Sequence, residues 1–301
     1  MKKGKDVYPQ FNSLEELCLY LEKKRKRDLF LFVLYVVVAS LIGAGGLALV
    51  IVGAIGEVYQ ALFVSLGFVF FLVVCPVFVF LSFSAKKDFK KAYFLLLSKR
   101  LSEGKYDSLS IMYSLPDGFE ANKRFEGLKK KPDQEEASYL EGSIKDVIFF
   151  SYEYEYSKIK NAIPYDFHGR FVEFIVPKSY EEKLLLLNKN EEALFKNDSS
   201  FSEAHLESML FENNHRIYAS SVYFAHEFMS PKRIQRVNEL ETERAAHLSF
   251  YCSNNRILVY VNGLNEPKKW GLSHKVDMAG IEEFQEGILL PYQCYFALLG
   301  N

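Results

Sequence analysis

The sequence predicts an α+β fold in which an N-terminal two-helix transmembrane hairpin precedes a cytoplasmic domain with a mainly antiparallel sheet and packed helices. Three observations predict it. Two uncharged apolar runs, residues 29–52 and 61–83, are separated only by GAIGEVYQ. Strand patterns after residue 144 come in consecutive pairs. Helical patterns gather before, between and after those pairs instead of alternating with them, which builds antiparallel rather than βαβ sheets. The expected parts are a cytoplasmic amphipathic basic helix (1–28), the hairpin (29–83, with an outside turn at 53–60) and the cytoplasmic α+β domain (84–301).

The chain should turn helical at Ser13-Leu14-Glu15-Glu16, a capping-box pattern that opens an amphipathic helix through Asp28. The two apolar runs follow. A helix rises about 1.5 Å per residue and the hydrocarbon core is about 30 Å thick, so each run is long enough to cross. A charge at the centre of a span costs about 2.5–3.5 kcal/mol, and neither run contains one. Lys23, Lys24, Arg25, Lys26 and Arg27 precede the first span; Lys86, Lys87, Lys90 and Lys91 follow the second; the turn carries only Glu57. Positive residues stay on the cytoplasmic side, so both termini are expected inside, in a multi-pass protein of the cell (inner) membrane whose N-terminus is retained. Ser40, Ala44 and Ala48 form a small-residue stripe on which the second helix, or a second copy of the chain, can pack. Pro76 should kink or loosen the second helix. With no ionisable residue in either span, a tether is expected and not an ion path.

Residues 85–104 read as a further helix, with Phe89, Tyr93, Leu96, Leu97 and Leu101 on one side and Gly104 at its end. Residues 114–137 are polar and irregular and read as a long connection. From Ile144 a strand begins in which Tyr152, Tyr154 and Tyr156 alternate with Glu153 and Glu155. A second strand covers 169–177, the two flanking a turn region with Asn161, Pro164 and Asp166. Residues 180–196 are ambiguous, 202–212 suggest a short helix, and 216–219 a short strand. The pattern over 222–240 is helical but broken at Ser230-Pro231, where Ser can cap and Pro can open a second helix. Residues 247–252 and 256–261 read as a hairpin about Ser253-Asn254-Asn255. A terminal helix is expected with Pro291 near its start and Gly300 past its end.

The formal net charge of −1 gives no basic excess, and the lysines cluster beside the membrane, so anionic lipid explains them better than nucleic acid. Cys18, Cys75, Cys252 and Cys294 are far apart and read as reduced thiols. His226-Glu227 lacks the second histidine of a zinc motif, His205 and Glu207 diverge on a helix, and His247 and Cys252 lie on opposite faces of one strand. No nucleophile elbow or phosphate loop is found, so no cofactor or metal is expected and the catalytic residues of any enzyme reading stay unassigned.

Several stretches carry a resemblance to a known family: IYASSVYFAHEFMSP at 217–231, FHGRFVEFIVP around Gly169, LFEN at 210–213 and LSFYCSNNRILVYV. The chain resembles the bacterial membrane-anchored proteins called domain of unknown function 3137, over roughly residues 85–300. Gly169, Phe171, Tyr218, Ser220, Ala225, Pro231 and Phe250 fall on its structural pattern. Where relatives place an acidic residue in the turn this chain has Ser221, and their acidic-then-basic helix pair appears as Phe224 and His226. The resemblance implies a membrane-anchored protein without established activity, and implies a LemA-like protein as partner. Two function classes follow: a noncatalytic interaction or regulatory module held at the inner membrane face, or a membrane-tethered enzyme acting on lipid or membrane-associated substrates.

Overall fold

The computed structural model describes residues 9, 11–55, 60–101, 104–112, 139–160, 163–190, 201–206, 208–263 and 272–300. It shows the expected α+β mixture: long apolar helices, then a mainly antiparallel sheet with helices. The chain groups into two compact units, one of residues 1–97 with 268–283, the other of 98–267 with 284–301.

The first unit is built on α1 (Leu14–Ile55), an unbroken helix of 42 residues. Its start carries the expected box: Ser13 Oγ accepts from Glu16 N at 3.1 Å, and Glu16 reaches back to the amide of Asn12 at 3.0 Å. The partner rod runs through α2 (Gln60–Val69), a π-helical turn (Phe70–Val74) and α3 (Cys75–Leu101). Both rods are long and apolar enough to cross a membrane. The π turn has a cause in the sequence. Pro76 has no amide for the carbonyl four residues back, and the chain widens before it so that the Cys75 amide bonds Phe70 O. The helix expected at 85–104 is the continuation of this rod, not a separate element.

The packing seam of the hairpin differs from the expected one. Ser40, Ala44 and Ala48 are exposed, whereas Ala39, Gly46 and Gly53 are buried. A Cβ on Gly67 would lie 2.5 Å from Gly46 O, and one on Gly46 would lie 2.9 Å from Gly67 O. Glycine, the smallest residue, sets the closest approach of the backbones and takes the seam from the serine and alanines. Cys75 Sγ donates to Ala39 O at 3.3 Å on the same side.

At the other end of this unit the basic cluster is built into the fold. Arg25 is 9 % exposed; it pairs with Glu22 at 2.7 Å and donates to Leu272 O at 2.7 Å. Glu22 also accepts from Val276 N at 3.0 Å, and Lys24 and Arg27 meet the buried Asp28 at 2.6 and 3.2 Å. The Arg25 guanidinium holds the Glu22 carboxyl at about 2 against the effect of burial. Leu17, Leu21, Phe89, Tyr93, Leu97, Leu272, Val276 and Ile281 are buried in the same unit.

Among its described residues the second unit holds seven antiparallel strands: β1 (Ser108–Met112), β2 (Tyr139–Ile144), β3 (Val147–Lys160), β4 (Ile163–Asn188), β5 (Ser202–Ala204), β6 (His215–Ala219) and β7 (His247–Asn262). The long β4 is the spine. One edge pairs with β7; the other pairs with β3 and then β6, which carries β5 outside it. Lys145 and Asp146, both at positive φ, make the tight β2–β3 turn. The expected turn residues Pro164 and Asp166 lie inside β4. Pairing with β7 begins only at Gly169, so Pro164 has a neighbour on one side and its missing donor is tolerated. The expected 247–261 hairpin is one strand. Asn254 takes a left-handed conformation (φ 53°) without reversing the chain and absorbs a register shift: the nine steps from Ile175 to Leu184 oppose the four from Arg256 to Cys252.

Among the described residues, four further helices pack with these strands or follow them: α4 (Met209–Asn214), α5 (Val222–Phe228), α6 (Pro231–Arg244) and α7 (Met278–Leu298). The helix expected over 202–212 is β5 followed by α4. Pro291 lies inside α7, which starts 13 residues before it instead of near it. Residues 113–138 and Asn161, and the side chains of Tyr154 and Tyr156, lie outside the described set.

The sheet has two dissimilar faces. One packs Val172, Phe174, Leu184, Leu186, Phe250 and Val259 against Phe228, Val237 and Leu298 of the helices. The other carries Tyr139, Tyr152, Phe171 and Tyr260, which are directly opposed in register across β2, β3, β4 and β7. The Tyr152 and Phe171 rings stack at 5.6 Å, and Phe171 meets Tyr260 at 4.9 Å. Tyr152 therefore lies in a packed aromatic row and offers no base-stacking platform.

Candidate functional site

The second unit presents an open groove of about 860 Å³ whose long wall is α6. The Ser230-Pro231 step forms that helix. Ser230 is extended and its carbonyl accepts from Arg233 N and Ile234 N, while Pro231 occupies the first turn, where no amide is needed. The Ser230 hydroxyl makes no cap bond. Ser221 does cap α5, accepting from Phe224 N at 3.4 Å, a task an acidic residue in that turn would also perform.

Ile234, Val237 and Leu240 turn α6 inward, and three arginines fasten it. Arg233 donates to Phe228 O and lies 4.3 Å over the Phe228 ring; Arg236 donates to Phe296 O and Gly300 O; Arg244 donates to Gln293 at 2.9 Å. A buried polar network fixes the far side. Glu241 Oε1 accepts from Leu248 N at 2.7 Å, from His215 Nε2 at 3.1 Å and from Asn188 Nδ2 at 3.4 Å. The His215 side chain has no exposed surface; its other nitrogen lies 3.2 Å from Phe211 O and its ring stacks on Phe211 at 4.3 Å. Both imidazole nitrogens therefore face acceptors. Asn188 extends the network to Ser249 and His247.

The groove floor is Leu206, Met229 and Ile234, with Pro231 and His226 at one end. The rim along α6 is Gln235, Asn238, Glu239, Thr242 and Glu243, facing Ser208. Gln235 donates to Glu239 at 2.8 Å. The opposite wall is ordered by Glu212, whose carboxylate accepts from Leu206 N and lies 3.6 Å from His205. Among the described lining residues there is no Lys or Arg, and Glu239 and Glu243 set a pair of carboxylates one helical turn apart.

Of the residues on the family pattern, Pro231 alone lines the groove. Gly169 is needed because a Cβ there would run into Val261 O of β7. Phe171 sits in the aromatic row and Tyr218 packs beside it. Ser220 tethers β6 to β4, its hydroxyl accepting from Lys183 N at 2.9 Å. Ala225 and Phe250 are core residues. Phe224 is buried, and His226 is exposed at the groove. The flanking residues Lys23, Lys26, Lys86, Lys87, Lys90 and Lys91 belong to the first unit together with Lys24, Arg25 and Arg27.

Glu239, Glu243 and the Glu241 network match no motif of the sequence. A signal for Glu241 existed: it follows Ile234 and Val237 at helical spacing, a charge on an apolar stripe. Burial pushes the thiols of Cys252 and Cys294 up to about 12, and Cys252 is wholly buried while His247 contacts Asn188 and Asn190, so the two do not form a nucleophile pair. Among the described residues, no three His, Cys, Asp or Glu side chains come together to hold a metal ion.

Residues 165–277 match the family described as protein of unknown function DUF3137, in agreement with the resemblance read from the sequence. No curated protein matches the chain. Among solved structures, the crystal structure of the mycobacterial trehalose monomycolate transport factor A, TtfA, is 11 % identical and covers 64 % of this chain and 94 % of its own, with a TM-score of 0.34. That value lies below the level of a shared fold.

Proposed function

We propose that this chain is a multi-pass protein of the cell (inner) membrane with both termini in the cytoplasm, whose α+β domain acts as a noncatalytic interaction or regulatory module at the inner face. The observation that carries the reading is the apolar, outward-facing surface of the two rods, with Leu41 68 %, Leu62 61 %, Leu72 61 % and Phe80 72 % exposed. Side chains of this kind stabilise a protein in lipid and cost solubility in water. The basic flanks support the orientation, Lys23, Lys86, Lys87 and Lys91 in particular, since Lys24 and Arg25 are also committed to Asp28 and Glu22. An open groove with an apolar floor suits a protein partner, for which the family resemblance suggests a LemA-like protein. The exposed Ser40, Ala44 and Ala48 stripe leaves a face for a second copy of the chain.

Affinity purification of the solubilised full-length protein tests the module. A stoichiometric protein partner is expected; recovery of no protein together with a bound small ligand would count against it. Orientation is tested by a reporter fused at Asn301, expected to be active in the cytoplasm, and by cysteine labelling of residues 53–60 from outside. One observation favours the enzyme reading: His226, Glu239 and Glu243 line the same groove. Turnover of a lipid or membrane-associated substrate, abolished by His226→Ala, would select it.

A further inference from the structure

We propose that the groove beside α6 docks an amphipathic helix of a partner protein, one that carries apolar anchors flanked by lysine or arginine. This names the partner chemistry of the interaction-module reading and rests on it. The floor of Leu206, Met229, Ile234 and Pro231 accepts apolar side chains, and about 860 Å³ is room for several of them. Beside the floor, α6 runs for 14 residues, about 21 Å, which spans roughly four turns of a second helix laid along it.

Charge decides between possible occupants. Glu239 and Glu243 are exposed on the rim and sit one turn apart, so they match basic residues spaced i, i+4 on a docked helix. Gln235, Asn238 and Thr242 add neutral hydrogen-bonding groups on the same side. Among the described residues the lining holds no Lys or Arg that would receive an acidic helix, a nucleic-acid backbone or an anionic lipid headgroup, and the two carboxylates repel all three. The groove is also held in shape before any partner arrives. Glu241 fastens α6 to β6 and β7 from behind, and Glu212 orders the opposite wall at Leu206, so little ordering is left to occur on binding.

The test uses the full chain in phosphatidylcholine nanodiscs, which are neutral and do not attract basic peptides. Two labelled helical peptides share one leucine stripe, and their polar faces carry lysine in one and glutamate in the other. Fluorescence anisotropy is expected to show the lysine peptide binding at least about tenfold tighter. The variant Glu239→Lys with Glu243→Lys, whose changes lie on the exposed face of α6, should keep its melting temperature and reverse the preference. Equal affinity for the two peptides, or an unchanged affinity in the double variant, overturns the proposal. A protein partner that copurifies equally with the wild type and the double variant leaves the module standing and removes this groove as its site.

Discussion

Ala245 ends α6 in the left-handed region, φ 47° and ψ 39°, where its amide and that of Ala246 close the helix on Thr242 O and Glu241 O. A Cβ in this conformation costs about 1 kcal/mol, which glycine avoids. Ala245→Gly is therefore expected to raise stability by about 0.5–1 kcal/mol, offset in part by glycine's larger unfolded entropy, as measured by denaturant unfolding in detergent. Glu22 is the opposite case. Its pKa is lowered from about 4.5 to about 2, chiefly by the Arg25 hydrogen bond. A lowered folded-state pKa stabilises above the unfolded value, and that contribution is lost as pH falls from about 4.5 towards about 2. Glu22→Gln leaves the Arg25 guanidinium buried against Leu272 O without its anion, so a loss of about 3 kcal/mol is expected at neutral pH. The variant's melting temperature should also lose most of the wild type's decline between those two pH values; an equal decline in both proteins would refute the assignment.

At the level of elements, α6 is held to the sheet by one carboxylate that serves three donors. Glu241→Ala leaves Leu248 N and His215 without that acceptor, at a cost of about 2–4 kcal/mol. Hydrogen exchange should then speed up in α6 and at the start of β7 more than in β3. Uniform acceleration would mean that the network holds no element in particular. The α5–α6 break was legible because Ser-Pro acts locally, through a fixed φ and a missing amide. The β7 continuity was not. Ser253-Asn254-Asn255 has the composition of a reversal, but the long-range pairing of β7 with β4 decides whether the chain turns, and there it only bulges. The α7 start was misplaced for a related reason: Pro291 is accommodated mid-helix, so its presence did not mark an end.

For the molecule as a whole, two long apolar helices followed by an α+β mixture with a mainly antiparallel sheet are legible in the sequence because both follow from composition and period, which need no partner to be read. The boundary at residue 84 is a different matter. Residues 268–283 group with the first unit, where Leu272, Val276 and Ile281 are buried with Leu17, Leu21 and Tyr93. A truncated chain of residues 84–301 therefore uncovers that apolar surface and is expected to bind a hydrophobic dye and aggregate, whereas full-length protein in detergent is not. A monodisperse, dye-negative 84–301 chain would show that those buried contacts add nothing. The groove was legible only in part: its α6 wall announced itself, but its other wall depends on β5 and α4, which the pattern over 202–212 blended into one helix. Finally, α1 has no break between its apolar length and its first turns. At about 1.5 Å per residue its 42 residues reach about 63 Å, and residues 14–28 account for about 22 Å of that beyond the first apolar run. In the proposed membrane placement such a rod works as a drive shaft. Any rotation or tilt imposed on the span by lipid thickness or a neighbouring helix is carried turn for turn to Glu22 and Arg25, and through their bonds to residues 272–276, with no joint in between to dissipate it.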